Sequence, residues 1–210
     1  MAVSRFVDEV STESPAPGGG SVAALAGSLA AGLAAMVANL TVGKKGYEGA
    51  WAELSTLAER AQGVKQRLLH AMDEDTRAFN RVLEAMRLPK ATPEQAAARA
   101  VALERAYQEA ANVPLGTTEL SVEAIELARE VASRGNKASV SDAGVAALAG
   151  RCAAEGAALN VLINLGAIGD EAYKARARGE AESLVARARA LADETLVLVN
   201  AALTDKAGWI

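Results

Sequence analysis

An aspartate interrupts an apolar stripe near the middle of the chain. The stripe follows alternating steps of four and three residues and consists of Leu68, Met72, Asp75, Phe79, Val82 and Met86. This spacing predicts one face of a helix that packs in a bundle. Burying a carboxylate is costly unless it is paired, protonated or kept for function, and burial raises its pKa towards the range useful for proton transfer. Asp75 is therefore a candidate acid–base residue; the alternatives are a buried salt bridge and a stripe that ends at a solvent cleft.

A second group of polar residues follows a helix-ending glycine. Arg134-Gly135-Asn136-Lys137 predicts a helix end, and Ser139 to Asp142 contains several residue types that begin helices. The free N–H groups of a helix start attract anions or polar ligands. This segment is thus either a ligand-binding site or a helix start that Ser139, Ser141 or Asp142 simply caps.

Two asparagines one helical turn apart, Asn160 and Asn164, lie in the apolar run ALNVLINLG. Buried amides need hydrogen-bond partners, so the pair indicates either a polar pocket or a hydrogen bond between helices.

Three lysines lie at helix ends or in loops. Lys44 and Lys45 follow an apolar helix at the end that favours positive charge, and Lys90 lies in the loop after MRLP.

Composition limits the classes of fold and function. The 210 residues are 51% hydrophobic but only 3% aromatic, which favours closely packed helices over a β-sandwich. Charges of both signs are mixed to a net −4, without the basic stripe that indicates a nucleic-acid partner. The chain has only one histidine and one cysteine, which argues against a catalytic triad or a metal site. It also contains no nucleotide-binding glycine motif. Cys152 is expected in the core, and a lone cysteine fits a reducing cytoplasm.

Helix signals predict an all-α fold. One very long helix, or two nearly collinear ones, is expected between Gly46 and Leu88. A capping box at Thr92 begins another helix that Pro114 should end. Further helices are expected over Thr117–Arg134 with a left-handed cap at Gly135, from Ser139–Asp142 to Leu165, and from Asp170 to about Leu203. We therefore expect one domain over residues 1–210, an up-and-down bundle of long helices.

The stretch from Ser14 to Gly43 contains no charged residue. It could be a linker, a membrane span, or a glycine turn that leads into a buried helix beside a ligand. Its alanine, glycine and serine contribute little transfer energy, and we expect no second span and no membrane. Small residues every four positions predict a smooth ridge that lets another helix approach closely: Ala23, Gly27, Ala31 and Ala35. Burial on nearly all sides favours a helix completed by a second subunit, the alternative being an internal helix of a monomer.

Seven short motifs occur in order over nearly the whole chain: PAPGGGSVAA, MVANLTVGKKGYE, DEDTRAF, MRLPKATPEQ, VPL, GNKASVSDAGVAAL and LNVLINL. Together they resemble the folate cyclodeaminase/cyclohydrolase family. That family includes the cyclodeaminase part of formimidoyltransferase-cyclodeaminase and stand-alone methenyltetrahydrofolate cyclohydrolases. The resemblance implies a helical homodimer with a folate site in a cleft between helices, and neither a metal nor a redox cofactor.

The resemblance also implies roles for particular residues. Asp75 and Asp142 are the implied catalytic residues, although which is the acid and which the base stays open. The lysines are candidates for the glutamate-tail carboxylates of folate. The implied substrate-binding residues are Gly18, Gly19, Gly20, Ser21, Lys44, Lys45, Lys90, Asn136, Asn160 and Asn164.

The motifs favour one reaction over another. NLTVGKKGYE and SVSDAGVA are similar to the stand-alone cyclohydrolases, and we expect hydrolysis of 5,10-methenyltetrahydrofolate. MRLPK and NVLINL are equally similar to the cyclodeaminases, which close 5-formiminotetrahydrofolate to the methenyl form and release ammonia. A helical oligomerisation module without catalysis is the alternative from another class. We expect the protein in the cytoplasm, which the lone cysteine fits.

Overall fold

The computed structural model describes residues 3–207, which form six long or short α helices joined by brief connections. The helices are α1 (Val3–Val10), α2 (Gly19–Asn39), α3 (Trp51–Met86), α4 (Pro93–Arg134), α5 (Val140–Leu165) and α6 (Glu171–Ala207). Single 3₁₀ turns precede α3 and α5, at Glu48–Ala50 and Lys137–Ser139. This described part of the chain contains no strand, and the prediction of an all-α fold is confirmed.

Helix α4 corrects the prediction that Pro114 ends a helix. The capping box at Thr92 is present, but the helix then continues for 42 residues with Pro114 inside it. Proline removes one N–H donor, which leaves the carbonyl oxygen of Ala110 without its intrahelical partner. The side chain of Asn164 in α5 donates to that oxygen at 2.9 Å. A side chain of the neighbouring helix α5 therefore satisfies the Ala110 carbonyl oxygen, whose missing partner would otherwise favour a break in α4.

Helix ends elsewhere follow the sequence signals with small differences. The long helix α3 begins at Trp51 rather than near Gly46, because Gly43 and Gly46 have positive φ angles of 80° and 89° and form a turn. Gly135 follows α4 as predicted, but its backbone is extended, with φ −78° and ψ 177°, and not left-handed. The starts of α5 and α6 agree with the predictions, and α6 runs on beyond Leu203.

The small-residue ridge of α2 lies in the core. Ala23, Ala31 and Ala35 are buried, and Gly27 packs against Leu68 of α3 and Ala153 of α5. The opposite face differs from the prediction of burial on nearly all sides, because Leu29 is 57% exposed in the subunit. The ridge thus brings α3, α4 and α5 close to one side of α2 and leaves its other side open.

Two helical segments are long and apolar enough to cross a membrane by length and composition alone. They are Gly19–Asn39 and Lys137–Leu165, so the expectation of no second such segment was wrong. The two helices pack against each other inside the bundle, as core helices of a globular protein do. Length and composition alone therefore do not distinguish a membrane span from a core helix in this protein.

Consecutive long helices run antiparallel, which gives the predicted up-and-down order. The start of α2 lies beside Asp75 in α3 and Asn160 in α5, whereas its end lies beside Asn136, just before α5. The bundle therefore has two distinct ends, and each predicted site residue belongs to one of them.

Candidate active site

A cleft of about 590 Å³ opens at the end of the bundle where α2 begins. Four helices form it: the first turn of α2, the last third of α3, the first half of α4 and the end of α5. Gly18, Gly19 and Gly20 line one side, and Asp75 lies in the wall formed by α3. Its size suits a small organic ligand.

Asp75 is held by the first turn of α2. The hydroxyl of Ser21 lies 2.9 Å from Asp75 Oδ2 and 3.1 Å from the carbonyl oxygen of Met72, and it can donate to either. Burial raises the pKa of Asp75 above its usual value, and hydrogen bonds from the hydroxyl and backbone N–H of Ser21 oppose that rise. No described cation forms a salt bridge with this carboxylate. A carboxylate with a raised pKa in a cleft is a candidate for proton transfer.

Gly20 explains why the glycine segment is needed at this place. A Cβ atom on Gly20 would overlap the carboxylate of Asp75, and one on Gly19 would lie 3.2 Å from Asn160 Nδ2. Gly18 is the N-cap of α2 with an extended backbone. The glycines are therefore needed because α2 closely approaches α3 and α5. They are not needed for a left-handed turn.

Asn160 and Asn164 present their side-chain oxygens to the cleft. Asn160 Nδ2 donates to the carbonyl of Gly156 at 2.9 Å, and Asn164 Nδ2 donates to Ala110 and to Asn160 at 2.9 Å each. No hydrogen bond from a described residue reaches Oδ1 of either asparagine, so each oxygen can accept from a ligand. Both alternatives raised for these residues, a hydrogen bond between helices and a polar pocket, apply together.

Sequence reasoning missed Tyr107 as a residue of the cleft. It is half-buried in α4, and its hydroxyl has no hydrogen-bond partner among the described residues, so it can contact a ligand. Phe79 and Met86, identified only as members of the apolar stripe, also line the cleft. The signal for Tyr107 was its rarity, since the chain has only three tyrosines.

The cleft is rich in acceptors and poor in positive charge. Its polar groups include the Asp75 carboxylate and the two asparagine oxygens, while no lysine or arginine side chain of the described residues lines it. An electron-poor or cationic ligand atom is favoured beside Asp75 by this arrangement.

Within one chain, Asn136, Lys44 and Asp142 lie at the other end of the bundle from Asp75. Lys44 Nζ donates to Asn136 Oδ1 at 2.8 Å, and the backbone N–H of Asn136 donates to Thr41 Oγ1 at 2.8 Å. Asp142 is in the first turn of α5. The 21 residues of α2 separate the two ends by about 30 Å, so Asp75 and Asp142 of one chain cannot act on the same atom.

Ser139 is the N-cap of α5 but makes no side-chain capping hydrogen bond, whereas the preceding turn is capped by Asn136. Asn136 Oδ1 accepts from the backbone N–H of Ala138 at 3.0 Å and so caps the turn before α5. Lys45 is exposed in the turn between Gly43 and Gly46. Lys90 is exposed in the loop after α3, at the Asp75 end of the bundle but outside the lining of the cleft.

A second cleft of similar size, about 620 Å³, lies between α3, α4 and α6. Its charged side chains pair with one another: Arg134 with Glu53, and Arg187 with Glu126. The charges are thus already neutralised within the chain, so this cleft is a weaker candidate. Within residues 3–207 no group of three or more His, Cys, Asp or Glu side chains is placed to hold a metal ion.

Comparison with known proteins agrees with this geometry. The family model described as formiminotransferase-cyclodeaminase matches residues 2–183. The chain is 40% identical over 189 residues to a methenyltetrahydrofolate cyclohydrolase from Methylorubrum extorquens, covering 90% of this chain and 91% of that one. It is also 40% identical to formimidoyltransferase-cyclodeaminase from Sus scrofa, over 88% of this chain but only 34% of the longer protein.

A solved structure has the same fold. The crystal structure of formiminotetrahydrofolate cyclodeaminase from Thermotoga maritima superimposes with a TM-score of 0.86 at 29% identity, covering 97% of this chain and 98% of the other. The family model and the curated relatives together cover most of the described helices, including those that form the cleft. The chain belongs to the formiminotransferase-cyclodeaminase family.

Proposed function

We propose that this protein is a folate enzyme that hydrolyses 5,10-methenyltetrahydrofolate to 10-formyltetrahydrofolate. The cyclohydrolase from Methylorubrum extorquens supports this reaction, because it matches nearly end to end. The observation that carries the proposal is the cleft around Asp75, with a partly buried carboxylate, two amide oxygens and no cation among the described residues that line it.

The chemistry of the substrate suits that cleft. The methenyl bridge between N5 and N10 carries a delocalised positive charge, which the Asp75 carboxylate attracts. A water molecule attacks the bridge carbon while Asp75 accepts its proton. Asp75 then gives this proton to N5 as the C–N5 bond breaks, and the remaining hydroxyl proton is released to solvent, which leaves the formyl group on N10. Asn160 and Asn164 offer acceptors for N–H groups of the pterin, and Phe79 and Tyr107 offer aromatic surface.

The cyclodeaminase reaction is the second candidate, favoured by the structural match to the Thermotoga maritima enzyme. In it N10 attacks the formimino carbon on N5, a base takes the N10 proton, and protonated amine leaves as ammonia. Asp75 is placed to move these protons as well. Its raised pKa suits either direction of proton transfer.

Neither reaction changes an oxidation state, so we propose that the enzyme works without a redox cofactor. We also propose that it uses no metal, since the described residues contain no group of three or more His, Cys, Asp or Glu side chains placed to hold one. We further propose that it acts in the cytoplasm as a homodimer built on α2. A non-catalytic oligomerisation module is the competing function, and it predicts that Asp75→Leu stabilises the bundle and leaves the biological role intact.

One spectrophotometric experiment tests these functions. Purified protein is mixed with 5,10-methenyltetrahydrofolate or with 5-formiminotetrahydrofolate, and the methenyl absorbance is followed against protein-free controls. Faster loss from the first substrate supports the cyclohydrolase, and growth from the second supports the cyclodeaminase. Rates equal to the protein-free controls with both would overturn both enzymatic functions.

A further inference from the structure

The connection between α5 and α6 forms one wall of the cleft. Helix α5 ends at Leu165 and α6 begins at Glu171, and the first two residues between them, Gly166 and Ala167, line the cleft. The next residue, Ile168, is 3% exposed and packs in the core cluster that contains Leu165. This short segment, which we call the α5–α6 connection, thus has one side in the core and the other in the site.

Glu104 of α4 holds the end of this connection. Its Oε2 accepts from the backbone N–H of Gly169 at 2.8 Å, and its Oε1 accepts from the backbone N–H of Asp170 at 3.1 Å. Gln108, one turn further along α4, donates its side-chain amide to Glu104 Oε1 at 3.1 Å. Hydrogen bonds to a carboxylate are stronger than those between neutral groups. The connection is therefore fixed to α4 by two of the stronger bonds that a backbone can make.

A negative charge is favourable at this position. The N–H of Gly169 has the largest effect on the pKa of Glu104 and lowers it below the usual value. Burial and the charge of Asp170 oppose this effect, whereas the Asp170 N–H and the Gln108 amide add to it. Glu104 is thus ionised at neutral pH, and it lies beside the start of α6, the end of a helix that attracts negative charge.

A separate contact fixes the first turn of α6 to α4. The hydroxyl of Tyr173 lies 2.7 Å from Asn112 Oδ1 and 3.0 Å from the carbonyl oxygen of Gln108, and it can donate to either. Tyr173 is buried in the same core cluster as Ile168. Because this contact does not involve Glu104, loss of the Glu104 carboxylate should release the connection without releasing α6.

Glu104 joins two walls of the cleft. Tyr107 lies one turn and Ala110 two turns after Glu104 on α4, and both line the cleft. Gly166 and Ala167 line it from the connection. Glu104 itself is not among the lining residues. It therefore fixes the position of one wall relative to the other without contacting a ligand.

We propose that Glu104 is a positioning residue that sets the shape of the substrate cleft by holding the α5–α6 connection against α4. This inference rests on the proposed function for the identity of the substrate. The groups assigned to the chemistry, Asp75 and its hydrogen-bond donor Ser21, belong to α3 and α2, which make no bond to Glu104. Loss of the Glu104 carboxylate therefore weakens substrate binding more than it slows the chemical step.

Steady-state kinetics with 5,10-methenyltetrahydrofolate tests the proposal. For Glu104→Ala we expect KM to rise about tenfold and kcat to fall less than about threefold, because two hydrogen bonds that shape the cleft are lost. Glu104→Gln keeps the size and one acceptor oxygen, so its KM should lie between those of wild type and Glu104→Ala. Glu123→Ala is the matched control. Glu123 also joins α4 to another helix, through Arg60 at 3.2 Å, but it is outside the cleft lining, so both constants should stay unchanged.

The difference between KM and kcat separates positioning from a general loss of stability. A smaller folded fraction lowers the apparent kcat but leaves KM unchanged, since only folded molecules bind substrate. An active wild type together with an unchanged KM for Glu104→Ala would overturn the proposal. A wild type inactive on both folates would instead refute the proposed function, and the connection is then tested by the next measurement alone.

The second measurement needs no folate. Ile168→Cys introduces a buried thiol into the connection, and Cys152→Ser removes the native one, which is exposed on α5 and not in the core as expected. The thiol at position 168 reacts with a disulfide reagent only when the connection opens. In this background we expect Glu104→Ala to react about tenfold faster than Glu123→Ala, at equal helix content. Equal rates would show that Glu104 does not hold the connection, even if the enzyme is active.

Discussion

Asn164 donates its side-chain amide to the carbonyl oxygen of Ala110 at 2.9 Å. The donor that a regular helix would provide for this oxygen is missing, because residue 114 is proline. One side chain thus stabilises the long helix α4 and is fixed with its own oxygen towards the cleft.

Replacing this amide should destabilise the protein. We expect Asn164→Ala to lower the free energy of unfolding by about 1–3 kcal/mol, because a buried carbonyl loses its donor. In a Pro114→Ala background the loss should be smaller, since alanine in place of the proline restores the intrahelical N–H donor. Chemical denaturation of the four proteins of this double-mutant cycle measures the coupling. Equal losses in both backgrounds would show that the contact with Ala110 does not stabilise the fold.

The close packing of Gly20 against Asp75 leads to a second prediction. Gly20→Ala should displace the carboxylate and lower kcat/KM by about a hundredfold, because small displacements of a catalytic group are costly. Gly63→Ala in α3 is the matched control, since a Cβ there meets no atom within 4 Å. The control should keep full activity and gain about 0.5–1 kcal/mol of stability. Wild-type kinetics for Gly20→Ala would exclude the geometry described for the site.

Ser21 should influence the acid limb of the pH profile of kcat/KM. The hydrogen bond from its hydroxyl favours the ionised form of Asp75, so the loss of that bond in Ser21→Ala raises the pKa of Asp75 further. If ionised Asp75 is the base, the acid limb of kcat/KM moves to higher pH. Ser28→Ala, which removes a hydroxyl that donates to the Leu25 carbonyl in the same helix, should leave the limb in place. A shift of the Ser21→Ala limb to lower pH would contradict the assignment.

The same pKa has a consequence for stability. A carboxyl whose pKa is raised by folding binds its proton more tightly in the folded state, so stability falls as pH rises from the ordinary pKa through the raised one. Asp75→Asn removes this dependence. Near neutral pH we expect its melting temperature to equal or exceed that of wild type, with the difference shrinking in acid. A lower melting temperature at neutral pH would show that ionised Asp75 is a stabilising group.

Much of the fold could be predicted from sequence because local signals agree with the final structure. The capping box at Thr92 and the apolar stripe around Asp75 were correct guides to α4 and α3. Pro114 was not, because the compensating hydrogen bond comes from Asn164, a residue 50 positions away. A rule based on neighbouring residues cannot include such a distant partner.

The prediction of the candidate site was limited in the same way, because sequence patterns do not show which distant residues lie together. Asp75 was found from its conflict with an apolar stripe, and its neighbours Gly20 and Ser21 from motif similarity. Motifs record which residues matter but not where they lie in space, so they did not show that Asp142 and Asn136 lie at the other end of the bundle from Asp75 within one chain. The antiparallel order of α2 and α5 separates them within one chain.

Turnover of 5,10-methenyltetrahydrofolate by wild type and Asp75→Asn tests the central claim most directly. Asparagine keeps the size and can still accept from Ser21, but it cannot accept a proton from water. We predict that the variant folds with wild-type helix content and loses about 10²- to 10⁴-fold in kcat. Wild-type turnover by a folded Asp75→Asn protein would contradict the claim that Asp75 carries the chemistry.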